Sequence, residues 1–199
     1  MMVDTLRRAD LLPAIVFVFS RQGCDGAVRQ LLANGTRLTS VKEATLLTAI
    51  AERHTAGLSS SDLRALDHDV FLEALQRGIA AHHAGILPAF KAIVEEGFAA
   101  GLIKVVFATE TLALGINMPA RTVVIEKLVK YNGETHADIT PGEYTQLTGR
   151  AGRRGIDVEG HAVVLWQAGM DPRAVAGLAS RRTYPLRSSF SPTYNMAVN

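Results

Sequence analysis

A three-layer α/β fold with a mostly parallel sheet is what this chain predicts. The first observation is a series of short, β-branched apolar runs with little polar alternation, as in strands covered on both faces. The second is that helical patterns separate successive runs, which is how parallel strands are joined. The third is composition: 48% of the 199 residues are hydrophobic and 20% charged, enough apolar material for a buried sheet. Disorder, collagen and coiled coil are excluded on the same grounds. The length suits one domain, or one domain with an appendage.

Residues 14–19 (AIVFVF) form the first such run. Residues 21–34 follow as a helix that Gly35 closes, since glycine takes the left-handed conformation a helix end needs. Residues 41–54 are amphipathic, with Val41, Leu46, Leu47 and Ile50 at helical spacing. Residues 57–67 read as a polar connector in which Ser59-Ser60-Ser61-Asp62 can cap a helix. A short helix over 70–77 and a short strand over 78–82 come next. Pro88 in the first turn and Gly101 past the last frame a helix over 88–101. Strands are predicted at 103–108, 121–126 and 160–166, and a helix at 142–152. Between them, 128–139 has Asn132-Gly133 at its centre, a strong hairpin signal because both turn positions require positive φ. Residues 181–199 leave the α/β rhythm, with Pro185 and Pro192, and read as a segment cut off inside an element.

Charge and cysteine content narrow the function classes. Lys+Arg is 21 against Asp+Glu 19, so any nucleic-acid surface has to be a local patch. Aromatic residues are 6%, which argues against stacking of bases on several exposed rings. Cys24 is the one cysteine, so no internal disulfide forms and a reducing compartment fits. The apolar run 11–19 contains Pro13, is too short to span a bilayer and has no small-residue cleavage site.

Four segments can carry chemistry. In Gln146-Leu147-Thr148-Gly149-Arg150-Ala151-Gly152-Arg153-Arg154-Gly155, a continuous helix would place three guanidiniums on one face. Such like charges repel by a few tenths of a kcal/mol per pair, and each helical glycine costs about 1 kcal/mol. A sequence that accepts both costs fits an anionic partner, for which arginine is the bidentate ligand. A solvated helix end whose cations suit the dipole is the competing reading. The segment 108–119 (ATETLALGINMP) follows a buried strand, where open α/β sheets bind ligands. Thr109 and Thr111 offer hydroxyls and N–H groups to phosphates there, although a plain strand-to-helix cap also fits. His82-His83-Ala84-Gly85 ends another strand, and two adjacent histidines without a third ligand are poor metal spacing. Cys24, beside Asp25, reads as a buried thiol near a helix start rather than a nucleophile.

The order of these segments is more specific than any one of them. A strand followed by FSRQGCD (19–25), HHAG (82–85), ATETLALGINMPA (108–120) and QLTGRAGRRG (146–155) resembles motifs IV, IVa, V and VI of superfamily 2 helicases. The match is close to the Ski-like DExH-box RNA helicases, the exosome-associated branch with its bacterial HelY-type relatives. Related DNA-repair helicases more often carry proline where Glu110 stands. The resemblance covers 14–166, and the tail 185–199 looks like the lead into a winged-helix domain.

The resemblance implies a linker over 1–12, a second RecA-like domain over 13–180, and the start of a truncated winged-helix region over 181–199. It implies ATP with Mg²⁺ in a cleft shared with a first RecA-like domain. Arg150 and Arg153 would be arginine fingers, with Gln146, Gly115 and Asn117 also at the nucleotide. Thr109, Glu110, Thr111, His82, His83, Gly85, Ser20 and Arg21 would line the path of RNA. The Asn132-Gly133 hairpin falls where the family separates strands.

Absences complete the expectation. No glycine is followed by lysine, so there is no GxxxxGK[ST] phosphate cradle, and Gly133-Glu134-Thr135-His136 lacks the aspartate of a DExH box. The implied protein is half of a cytoplasmic motor. It needs the P-loop domain in cis or in trans, acts on RNA rather than a membrane, and is inactive in ATP hydrolysis alone. Its rivals are a standalone non-catalytic nucleic-acid-binding domain and part of a repair-type DNA helicase.

Overall fold

The strand β1 (Ala14–Phe17) lies at the centre of a five-stranded parallel sheet in a computed structural model that describes residues 2–113, 116–131 and 135–180. With β2 (Ile79–His82), β3 (Val105–Ala108), β4 (Thr122–Ile125) and β7 (His161–Val164), the order is β2-β3-β1-β4-β7. The register sets Ile15 beside Val106 on one flank and Val123 on the other. A parallel neighbour is reached only by crossing over a face of the sheet, so helices cover both sides.

Alternation along β1 divides the core in two. Ala14, Val16 and Val18 pack under α1 (Met2–Arg8) and α2 (Arg21–Ala33), against Val3, Leu6, Cys24, Val28 and Leu31. Ile15 and Phe17 face the opposite layer. That layer contains α3 (Val41–Thr55), with Leu47 and Ile50, and α6 (Pro88–Ala99), with Ile93, Val94 and Phe98. It also holds α7 (Pro141–Thr148), with Tyr144 and Leu147. Each fully buried Leu, Ile, Val or Phe contributes about 1.5–3 kcal/mol, which explains why the strands read as unbroken apolar runs. Cys24 is fully buried and its thiol is pushed up to about 12 by burial and then by Asp25, as an inert core residue should be.

Helix starts follow their caps. Ser40 and Glu43 close a capping box on α3, and Thr140 and Glu143 do so on α7 with Pro141 in the first turn. A third box, Ser59 with Asp62, starts α4 (Ser60–Ala65) inside the stretch expected as a connector, and α5 (His68–Gln76) follows. The expected linker carries α1, because Val3 and Leu6 find a place on the sheet. A further helix, α8 (Pro172–Ser180), lies beyond β7. The hairpin is present as β5 (Val129–Tyr131) paired antiparallel with β6 (His136–Asp138). Its expected turn at Asn132-Gly133 and the tail 181–199 lie outside the described residues.

The predicted helix over 142–152 is shorter than expected and ends at Thr148. Gly149 caps it, and the chain then turns into a parallel bridge between Ala151 and Ala120. The Gly152 N–H donates to the Ala120 carbonyl (2.7 Å) and the Ala120 N–H to the Arg150 carbonyl (2.9 Å). Gly160 packs against this bridge without a side chain: a Cβ there would sit 2.5 Å from the Ala151 carbonyl carbon and 2.5 Å from the Gly152 nitrogen. Gly160→Ala is therefore expected to cost about 1–3 kcal/mol in urea unfolding. Gly57→Ala, which meets nothing within 4 Å, is expected to stay within about 0.5 kcal/mol of wild type.

Candidate nucleic-acid and nucleotide interface

Three loops leave the carboxyl ends of the adjacent strands β2, β3 and β1 side by side. The Thr109 N–H donates to the His82 carbonyl (3.3 Å) and the Val18 N–H to the Ala108 carbonyl (2.8 Å), so the three ends are tied together. After β1, Ser20 is the N-cap of α2, its Oγ accepting from the Gly23 N–H (3.2 Å), and Arg21 stands exposed in the first turn. After β3, a 3₁₀ turn (Glu110–Ala113) begins with the Thr109 and Thr111 hydroxyls 3.0 Å apart, and Thr111 is exposed.

The two histidines at the carboxyl end of β2, His82 within it and His83 just after, are inside the protein, only 3% and 5% exposed. His82 Nε2 meets the Glu95 carboxylate (2.9 Å), and burial lowers its pKa, which keeps the ring neutral at pH 7. His83 Nδ1 accepts from the Gly85 N–H (3.2 Å), so Nε2 carries the proton and donates to Asp25 (3.0 Å). These rings shape the loop that Gly85 and Arg21 share. A Cβ on Gly85 would lie 3.2 Å from His83 Nδ1 and 3.5 Å from Arg21 Cδ. Arg21 is the exposed cation beside this loop, while both histidine rings are buried.

Glu110 does not stand free in the motif. Lys130 on β5 bridges its carboxylate (2.5 Å) to that of Glu143 at the start of α7 (2.6 Å). Burial opposes the ammonium, but the two carboxylates outweigh it and Lys130 titrates above its ordinary range. Glu143 is likewise held low by Lys130 and the Thr140 cap, against the effect of burial. This ion triad joins the loop after β3, the hairpin and the helix that leads to the arginines. It borders a cleft of about 150 Å³ that Phe19 and the exposed Gln146 also line.

The three arginines part company once α7 ends. Arg150 turns inward, donating from Nη1 to the Ile116 carbonyl (2.6 Å) and from Nη2 to the Ala113 carbonyl. It thereby staples the crossover between β3 and β4. Arg153 is gripped by Asp157: Nε to Oδ2 is 2.8 Å, Nη2 to Oδ1 is 2.7 Å, and the Arg153 N–H adds a third bond to Oδ2 (2.9 Å). These hydrogen bonds bring the Asp157 carboxyl down to about 2. Arg154 is exposed, with no hydrogen bond or ion pair among the described residues. The expected single helical face of three guanidiniums is therefore replaced by one half-buried staple, one clamped side chain and one without a partner among the described residues.

Asn117 is exposed on the crossover, and Gly115 lies outside the described residues. Among the described residues no cluster of His, Cys, Asp or Glu could hold a metal ion, and no helix is long and apolar enough to cross a membrane. Sequence reasoning missed Lys130, Glu143 and Asp157. The Thr140–Glu143 capping-box spacing and the Arg153–Asp157 spacing of four were legible signals for the latter two.

Comparison with known proteins adds ancestry to this geometry. The helicase conserved C-terminal domain matches residues 42–155. The protein named "Probable helicase HelY" of Mycobacterium tuberculosis is 65% identical over 189 residues, which is 95% of this chain and 21% of that protein. Human "Superkiller complex protein 2" is 41% identical over 199 residues, all of this chain and 16% of that protein. "Antiviral helicase SKI2" of Saccharomyces cerevisiae is 39% identical over 204 residues, 99% of this chain and 15% of that protein. The chain thus spans about one fifth or less of the length of these relatives.

Proposed function

The chain belongs to the helicase conserved C-terminal domain family, in its Ski-like branch, and on that premise we propose that it is the second RecA-like lobe, residues 13–180, of an ATP-dependent RNA helicase motor. The observation that carries this reading is the convergence of the loops after β1, β2 and β3 on one sheet edge, with α7 delivering Arg153 and Arg154 separately. RNA backbone would be held at that edge by Arg21, by the Ser20 and Gly85 backbone, and by Thr109 and Thr111, with Glu110 and the two histidines setting loop shape. The site is built for phosphates rather than bases, so binding should be salt-sensitive and poor in sequence preference.

At the nucleotide, Arg153 would meet the γ-phosphate, with Gln146, Asn117 and Gly115 at its periphery. The exposed Gln146 and the Nη1 of Arg153, which has no partner among the described residues, fit a polyanionic ligand. Bound ATP with Mg²⁺ would supply the transferable phosphoryl group, and the arginines would stabilise the charge that develops as its bond breaks. Arg150 could join only by leaving the Ile116 and Ala113 carbonyls, so Arg153 is the leading finger. The P-loop and the DExH carboxylates would come from a first RecA-like domain, and the expected setting is the cytoplasm.

Titration of the 199-residue chain with single-stranded RNA at two salt concentrations tests the RNA edge. Affinity should fall as salt rises, and Thr109→Ala should weaken binding about tenfold through loss of a charge-assisted hydrogen bond. No affinity at low salt, or an unchanged Thr109→Ala variant, would refute it. Equal binding of a DNA strand would favour the repair-type alternative.

A further inference from the structure

We propose that Asp157 is the positioning residue of Arg153, a carboxylate that holds one edge of the guanidinium and leaves the other to a phosphate. The inference rests on the nucleotide-side reading above and deepens it. Asp157 binds Nε and Nη2 in the two-pronged geometry that suits carboxylate and guanidinium, and its side chain is only 4% exposed. Nη1 has no partner among the described residues, so the clamp fixes the side chain without using up its donors.

The local backbone is built to hold this arrangement. The Asp157 N–H donates to the Arg153 carbonyl (2.9 Å) and the Ile156 N–H does the same (3.0 Å), closing a turn in which Gly155 sits at φ +79°. Upstream, Gly152 at φ +90° carries the chain out of the bridge with Ala120. Both ends of the clamp therefore belong to one short turn anchored on the sheet. An arginine on such a loop would otherwise sample many rotamers, and all but one would be lost each time it engaged a phosphate. Selecting that rotamer in advance is the preorganisation that transition-state stabilisation needs.

The carboxylate also has a cost that argues for purpose. It places a negative charge beside a side chain proposed to meet triphosphate. Removing that charge should favour ATP binding by simple electrostatics, whereas removing a positioning group should slow turnover. The two effects fall on different kinetic constants, which makes the role separable from general charge balance.

The test uses the chain itself and the chain completed by a P-loop and DExH domain. In the 199-residue chain, the Arg153 Nε–H should give a resolved, slowly exchanging NMR resonance that Asp157→Asn abolishes. In the completed motor, Asp157→Asn should lower kcat for RNA-stimulated ATP hydrolysis by about 10–100-fold, with KM for ATP unchanged or lower. Asp157→Glu should restore part of the rate. In an Arg153→Ala background Asp157→Asn should add nothing, since the effect runs through the missing side chain. A wild-type chain with no protected Arg153 Nε–H overturns the inference. So does an Asp157→Asn motor with normal kcat, or one that slows the Arg153→Ala motor further, which is what a purely structural turn would do. Should Arg153→Ala itself leave turnover intact, the failure lies with the finger assignment, and the inference falls with it.

Discussion

Arg153→Ala is expected to slow RNA-stimulated ATP hydrolysis about 10³-fold or more once this chain is joined to a P-loop and DExH domain. An arginine that stabilises the charge of the departing phosphoryl group is worth 10³–10⁵ in rate, and that loss falls on kcat. The same substitution should leave the affinity of the chain for single-stranded RNA nearly unchanged. The proposed RNA edge lies at the carboxyl ends of β2, β3 and β1, whereas Arg153 follows the bridge of Ala151 to Ala120, at the amino end of β4. Stopped-assay rates and RNA titration on one variant therefore separate the two functions. A rate within about tenfold of wild type would remove Arg153 from the catalytic role, because no arginine finger is worth so little.

The largest effect on stability is expected from Phe17→Ala, at about 3–5 kcal/mol. Phe17 is wholly buried at the carboxyl end of the central strand, paired in register with Ala108 on β3 and Ile125 on β4. Its ring belongs to the layer that α3, α6 and α7 cover, so truncation opens a cavity that no single neighbour can fill. Against a total of 5–15 kcal/mol for a typical domain, that leaves a marginal fold. Urea unfolding should show a lower midpoint at an unchanged slope. An unchanged midpoint would contradict the packing described.

The strands and their order of chemistry were legible because a parallel sheet buried on both faces leaves an unambiguous apolar signature. Residues 14–17 are the plainest example: all four are buried, and alternation divides them between two helical layers. The hairpin could be placed from Asn132-Gly133, and its strands lie where that signal put them. What stayed hidden depended on tertiary contact. The resemblance implies only a linker over 1–12, whereas Met2–Arg8 is helical with Val3 and Leu6 buried against the sheet, a tertiary contact that no local pattern reveals. The helix over 142–152 looked continuous because periodicity does not register a bridge such as Ala151 to Ala120. With that bridge, three arginines at helical spacing receive three different fates.

The same reason explains the partners that went unseen. His82 and His83 read as polar contacts of a loop at a strand end, and their partners Glu95 and Asp25 lie 13 and 58 positions away. Lys130 sits in a hairpin with no motif of its own. Its link to Glu110 and Glu143 spans 20 and 13 positions of sequence, which no local spacing rule covers. The chemistry-bearing residue types were evident, whereas the side chains that orient them belong to distant elements and had to be seen in place.

ATP hydrolysis by the purified chain, alone and after joining to a P-loop and DExH domain, decides whether this chain is the second lobe of a two-lobe motor. No turnover is expected from the chain alone, and the joined motor should show RNA-stimulated turnover that depends on Arg153. Turnover by the chain alone that Arg153→Ala abolishes would contradict that assignment, as would a joined motor that hydrolyses ATP equally well with and without that arginine.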